Sequence, residues 1–100
     1  MKPRIAPPDP ADLPQVLELL ERAHLPAAGI ADHVATTLVA RQQRRLVGCA
    51  AVEIYGPAGL LRSVAVDPTV QGHGLGQELT TAALALARAR GVRTVYLLTT

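Results

Sequence analysis

Leu60-Leu61-Arg62-Ser63-Val64-Ala65-Val66-Asp67-Pro68, followed after Thr69-Val70 by Gln71-Gly72-His73-Gly74-Leu75-Gly76, is the stretch that decides how this chain is read. Its apolar run stops at Asp67-Pro68, and an Ala/Leu-rich segment with helical spacing opens at Leu75, so it predicts strand, glycine turn and helix. Three glycines in five residues let the backbone turn tightly and leave N–H groups uncovered at the positive end of a helix. Such a turn suits phosphate, which points to an anionic, nucleotide-like ligand.

Outward from the turn, Leu75, Leu79, Ala82, Leu86 and Arg90 trace one helical stripe, and Ala83 and Ala87 beside it permit close packing on a sheet. Gly91 is placed to end the helix, with Arg88 and Arg90 complementing its dipole. Thr94 to Thr100 then predicts a strand, and strand, helix, strand of this length calls for a right-handed parallel crossover beside the Leu60 strand. Upstream, strands are expected at Thr37 to Arg41 and Arg45 to Tyr55, separated by Gln42-Gln43-Arg44. Gly56-Pro57-Ala58-Gly59 is expected as the next turn. Residues 37 to 66 thus form an antiparallel meander. The apolar centre of its middle strand requires cover on both faces.

Arg4-Ile5-Ala6 reads as an edge strand. Asp9-Pro10 opens a helix with Leu13, Val16, Leu17 and Leu20 on its apolar face, and Leu25-Pro26 stops it near His24. Residues 27 to 36 fit either a short helix or a structured loop. The fold class is α/β (α+β, mixed sheet), one domain over residues 1–100: antiparallel strands first, then a parallel strand-helix-strand unit.

With 49% hydrophobic and 18% charged residues the chain is globular, and without Phe or Trp its core must be aliphatic. Cys49 is the single cysteine, so an internal disulfide is impossible and a reducing compartment is natural. Pro7-Pro8-Asp9-Pro10 interrupts the region where a signal peptide needs an apolar run, and no segment has the length of a membrane span. The expectation is a soluble cytoplasmic protein with no membrane partner. The net charge of +2 is dispersed, and Tyr55 and Tyr96 are the only aromatics, which argues against nucleic acid and for a small anionic ligand.

A P-loop would need Lys and Ser/Thr after the last glycine, but Gln77 and Glu78 follow Gly76. A dinucleotide fingerprint starting at Gly72 would need a third glycine where Gln77 stands. The remaining pattern, Gln/Arg-x-x-Gly-x-Gly/Ala, is met by Gln71, Gly74 and Gly76 at the start of a helix. With Leu61 to Pro68 before it and Tyr96-Leu97-Leu98 after it, this stretch resembles motif A of the GNAT superfamily of acetyl-CoA-dependent N-acetyltransferases. Glu53-Ile54-Tyr55-Gly56, Leu60 to Val66 and the Tyr-Leu-Leu-Thr-Thr end resemble its arsenic-resistance group.

The resemblance implies a GNAT-type acyl-CoA N-acyltransferase fold, acetyl-CoA as cosubstrate, no metal, and transfer of an acetyl group to a primary amine of a small molecule. It implies that main-chain N–H groups of Gln71, Gly72, His73, Gly74, Leu75 and Gly76 hold the coenzyme A pyrophosphate. Val64, Ala65 and Val66 would bond the pantetheine arm through their main chain where two strands splay, often at a bulge. A non-catalytic CoA-binding or sensing module is the alternative.

An alkyl amine is almost wholly protonated at neutral pH, so transfer benefits from a proton acceptor. Glu53, in an otherwise apolar strand beside the Leu60 strand, is the candidate, with Tyr55 on the same face. The competing reading has Glu53 pointing to solvent. Cys49, with no histidine near it in sequence, reads as a small hydrophobe, and His24, His33 and His73 lack metal-ligand spacing. Arg62 and Ser63 lie on opposite faces if no bulge intervenes, so one of the two is a candidate to face the acceptor cleft and the sequence does not say which. Arg41, Arg44, Arg45, Arg88, Arg90 and Arg93 read as solvated charges. By resemblance the family domain continues past Thr100 with a helix and two strands. Thr94 to Thr100 would then be an unprotected edge, and homodimerisation or other edge-strand association is expected there.

Overall fold

The computed structural model describes residues 3–26 and 29–97. Five strands form one sheet in the order β1 to β5: Arg4–Ala6, Thr37–Gln42, Arg45–Tyr55, Ala58–Val66 and Thr94–Leu97. Neighbours from β1 to β4 are antiparallel, and β4 and β5 are parallel, joined through α2, Leu75–Ala89. The expected mixed sheet is present. Residues Leu98 to Thr100 of the expected last strand lie outside the described residues, as do Ala27 and Ala28.

The two faces of the sheet carry separate cores. Helix α1, Leu13–Arg22, lays Val16, Leu19 and Leu20 over Val39, Cys49, Ala51 and Ala65. Helix α2 lays Leu75, Leu79, Ala83 and Ala87 over Leu38, Ala40, Val47, Ala50 and Val52. β3, the central strand, is therefore buried on both sides, as its apolar composition requires.

Three local readings change. Residues Pro10–Asp12 form a 3₁₀ turn and the α-helix begins at Leu13, and the face that α1 turns to the sheet buries Leu19 and leaves Leu17 exposed. α1 ends at Arg22, close to the expected stop near His24, whose φ of +58° lies just past the helix. On α2 the deepest stripe is Leu75, Leu79, Ala83, Ala87, with Ala82 and Leu86 only partly buried, because small alanines let the helix seat closest to the sheet. Both hairpin turns are shorter than expected. β2 extends through Gln42, leaving Gln43 and Arg44, and β4 begins at Ala58, leaving Gly56 and Pro57. Ala58 pairs with Tyr55 and Thr94, so its backbone belongs to the sheet. Residues 30 to 36, which fitted helix or loop, are 3₁₀, spanning Ile30–Thr36.

Gly48 lies where α2 presses on β3. A Cβ there would stand 2.8 Å from Leu79 Cδ1 and 3.3 Å from the Ala65 carbonyl oxygen. Leu79 has no exposed surface and cannot yield freely. Gly48→Val is expected to destabilise the domain by about 2–3 kcal/mol through overpacking, measurable as a fall in the denaturant midpoint.

The feature that most affects the site is in β4. Cys49 pairs with Ala65 and Ala51 with Arg62, so two steps along β3 oppose three along β4. The extra residue is absorbed at Ser63, whose φ is +59°. Leu61 consequently packs in the α2 core and Ala65 in the α1 core, although an unbroken strand would point residues four apart to one face.

Candidate active site

The glycine turn follows β4 and is anchored by Asp67, which is almost completely buried. Its carboxylate accepts from the Thr69 amide at 2.9 Å, the Thr69 hydroxyl at 2.7 Å, Arg45 at 2.8 Å and Arg22 at 3.2 Å. The Thr69 hydroxyl and amide, helped by Arg45, hold the Asp67 carboxyl down at about 2 against the opposing cost of burial. Because the folded pKa is depressed, this stabilisation is present above the ordinary value of 3.8 and is lost as pH falls toward about 2. Asp67→Ala removes the acceptor of the Thr69 amide and hydroxyl and frees the turn. It is expected to cost about 1–3 kcal/mol and to weaken any ligand of the turn, which thermal melts and titration of the same variant will show.

Beyond Asp67 the Gln71 side-chain amide donates to the Val66 carbonyl at 3.1 Å, tying the turn back to the strand. Gly72 and Gly74 have φ of +86° and +80°, and a Cβ at either would meet nothing within 4 Å. Gly74 caps α2, and its carbonyl accepts from the Glu78 amide. The N–H groups of Leu75, Gly76 and Gln77, in the first turn of that helix, have no intrahelical acceptor and point outward. Gly76 and Gln77, with Thr80 and Thr81, face Val64 of β4 across an open groove. Leu75 and Ala65 have buried side chains, so only their main chain can meet a ligand. His73 is exposed.

Pairing of β4 with β5 among the described residues runs from Ala58↔Thr94 to Leu61↔Leu97. Of Val64, Ala65 and Val66, Val64 lines the groove, next to the bulge at Ser63.

On the α1 face, the regular β3–β4 register before the bulge gathers a polar cluster. Glu53 is buried, so it does not point to solvent. It accepts from the Tyr55 hydroxyl at 2.6 Å and from Arg62 at 2.8 Å, and His33 Nε2 stands 3.8 Å away. The Tyr55 hydroxyl and Arg62 lower the Glu53 pKa, so the carboxylate stays ionised, and the same bond raises the Tyr55 pKa and keeps the phenol protonated. Arg62 also reaches Ser63 Oγ at 3.4 Å. Arg62 therefore shares the face of Glu53.

Cys49 is inert: burial pushes its thiol up to about 12, and Sγ donates to the Ser63 carbonyl at 3.2 Å. Among the described residues no group of three or more His, Cys, Asp or Glu is gathered to hold a metal, and no helix is long and apolar enough to cross a membrane. Three arginines read as solvated have partners: Arg41 pairs with Asp12, Arg45 with Asp67, and Arg90 reaches the Ala35 carbonyl at 3.5 Å. Asp67 and His33 were not foreseen at the site, and Asp67 read only as a strand end. Of Arg62 and Ser63, between which the sequence did not choose, it is Arg62 that joins Glu53.

The mixed sheet with a helix on each face has counterparts among solved structures. The chain belongs to the acetyltransferase (GNAT) family, whose model matches residues 6–100. Rv2747 from Mycobacterium tuberculosis, solved in complex with CoA and NLQ, superposes with a TM-score of 0.86 at 26% identity over 97% of this chain and 64% of its own. An amino-acid acetyltransferase from M. tuberculosis is 38% identical over 55% of this chain and 32% of its own length. A [citrate [pro-3S]-lyase] ligase from Klebsiella pneumoniae is 39% identical over 62% of this chain and 17% of its own length. The chain thus spans a third or less of these two curated relatives.

Proposed function

We propose that this domain transfers an acetyl group from acetyl-CoA directly to a primary amine of a small molecule. The observation that carries the reading is the β4 bulge at Ser63 beside the groove between Val64 and the start of α2, in a chain of this family. The residues present fit coenzyme A: an open glycine turn for its pyrophosphate and a strand edge for its amides. Acetyl-CoA supplies the activated acyl carbon. Residues Gln71 to Gly76 hold phosphate oxygens through main-chain N–H groups, and Val64 to Val66 bond the pantetheine arm and orient the thioester.

In the transfer a nitrogen–carbon bond forms and the thioester carbon–sulfur bond breaks. The amine loses a proton, and the departing thiolate takes one up from solvent. Glu53 is the candidate proton acceptor. Being held ionised, it also stabilises the positive charge that develops on the attacking nitrogen, while Tyr55 and Arg62 fix its two oxygens. Cys49 takes no part, so the acyl group passes without a covalent enzyme step.

The finer readings belong to the same proposal. The wording of Glu53-Ile54-Tyr55-Gly56 puts an arsenic-linked amino acid among the amines to be tried. The lone cysteine supports a cytoplasmic setting. Exposed Tyr96 and Leu97 on the β5 edge support association of two copies there. Calorimetry with acetyl-CoA, then thiol release with a panel of amines, tests the function. Binding with thiol release supports it, binding with no release from any amine would leave a CoA-binding module, and no binding would overturn it.

A further inference from the structure

The α1 face holds an apolar cavity that the acetyl-transfer reading does not use. Among the described residues it is lined chiefly by Pro8, Leu13, Val16, Ile30, Val34 and Thr37, and it measures about 170 Å³. Its walls offer little to a polar group. The Thr37 hydroxyl already donates to the His33 carbonyl at 2.6 Å, leaving its methyl as lining. An apolar cavity of about 150 Å³ takes a group the size of benzene, so this one has room for a branched side chain of four or five carbons.

Sheet register places this cavity beside the charged cluster. Thr37 pairs with Ala51, and Ala51 with Arg62, so the three form one row across β2, β3 and β4. Glu53 stands one pleat further along β3, about 7 Å from Ala51 on the same face. Ala51, fully buried, stands in the sheet between Thr37 of the cavity wall and Arg62 of the charged pair. His33 belongs to the same 3₁₀ segment as Val34, so one segment lines both.

Resting on the proposed function, we infer that the acceptor is an α-amino acid with a small aliphatic side chain. The pair Glu53 and Arg62 presents an anion and a cation side by side, which complements an α-amino acid's ammonium and carboxylate. Glu53 meets the amino group that attacks the thioester. Arg62 takes the carboxylate through guanidinium donors other than those aimed at Glu53 and Ser63. The aliphatic side chain, one bond further on, enters the cavity, and filling it removes apolar surface from water.

Calorimetry on the CoA-saturated protein with L-leucine, L-alanine, L-glutamate and isopentylamine tests this. Leucine is expected to bind at least ten times more tightly than alanine, which lacks the cavity-filling carbons. It should also bind at least ten times more tightly than isopentylamine, which lacks the carboxylate, and glutamate should bind more weakly than leucine. Val34→Phe, which fills the cavity, should bring the leucine-to-alanine ratio below about three, and Val34→Ala should shift preference toward L-phenylalanine. Arg62→Gln should abolish the advantage of leucine over isopentylamine while leaving that of leucine over alanine. CoA binding with no preference for leucine over alanine or glutamate would overturn this inference alone. Failure to bind CoA would overturn the acetyl-transfer reading beneath it.

Discussion

Gly74→Val is expected to weaken acetyl-CoA binding at least a hundredfold while the domain stays folded. Gly74 sits at φ +80°, ψ +8°, a conformation that costs an L residue roughly 1–2 kcal/mol and a β-branched one more. The chain can relieve this strain only by rotating the peptide units on either side, and those carry N–H groups proposed to hold the pyrophosphate. Hydrogen bonds to a charged group contribute about 1.5–3 kcal/mol each, so misaligning two of them accounts for a loss of two orders of magnitude or more. A Cβ at this position meets nothing within 4 Å, so the effect comes from backbone conformation rather than collision. Asn, which tolerates the left-handed region, should restore most of the affinity. Titration calorimetry of both variants decides it, and equal weakening by Val and Asn would refute the backbone argument.

The second large effect concerns Glu53. Glu53→Gln keeps the shape but removes the charge that Arg62 uses and that the proposed mechanism gives to the attacking nitrogen, and kcat is expected to fall about a hundredfold or more with acetyl-CoA affinity little changed. Leaving Arg62 without its carboxylate also costs about 1–3 kcal/mol of stability, so activity must be compared at equal folded fraction. The pH profile separates the charge role from simple basicity. The Glu53 pKa is lowered, so its carboxylate is already ionised below neutrality and contributes no rising limb there. The rate should therefore climb about tenfold per pH unit until the acceptor amine itself is deprotonated. A limb near pH 6 to 7 that vanished in Glu53→Gln would show that the carboxylate titrates far above its ordinary value.

The glycine turn was legible because its requirement is local. Gly72 and Gly74 occupy backbone conformations that other residues adopt only at a cost, so the turn had to be spelled in glycine. The helix after it and the strands around it were legible for a similar reason, since periodicity records which side of an element faces a core. Leu17 shows the limit of that record. Its spacing put it on one face with Leu13, Val16 and Leu20, but α1 is rolled on the sheet so that Leu19 takes the buried position.

The bulge left no comparable mark. Nothing in Arg62-Ser63-Val64 announces that Ser63 takes φ +59°, because the cause lies in the fit between β3 and β4 rather than in Ser63 itself. That one residue decides that Ala65 packs under α1 and that Val64 borders the groove, whereas Arg62 reaches Glu53 through the regular pairing before the bulge. Glu53 could be singled out from sequence as a carboxylate in an apolar strand. Its lowered pKa depended on Tyr55, Arg62 and His33, which arrive from three parts of the chain.

The sequence by itself determined the elements, their order, the mixed sheet and the turn beneath the proposed acyl donor, because helical period, strand period and glycine are properties of neighbouring residues. The tertiary structure alone decided the phase of β4, the pairing of Glu53 with Arg62, the burial of Asp67 and the cavity under α1. These depend on contacts between residues distant in the chain, where a one-residue slip in register moves every side chain to the opposite face.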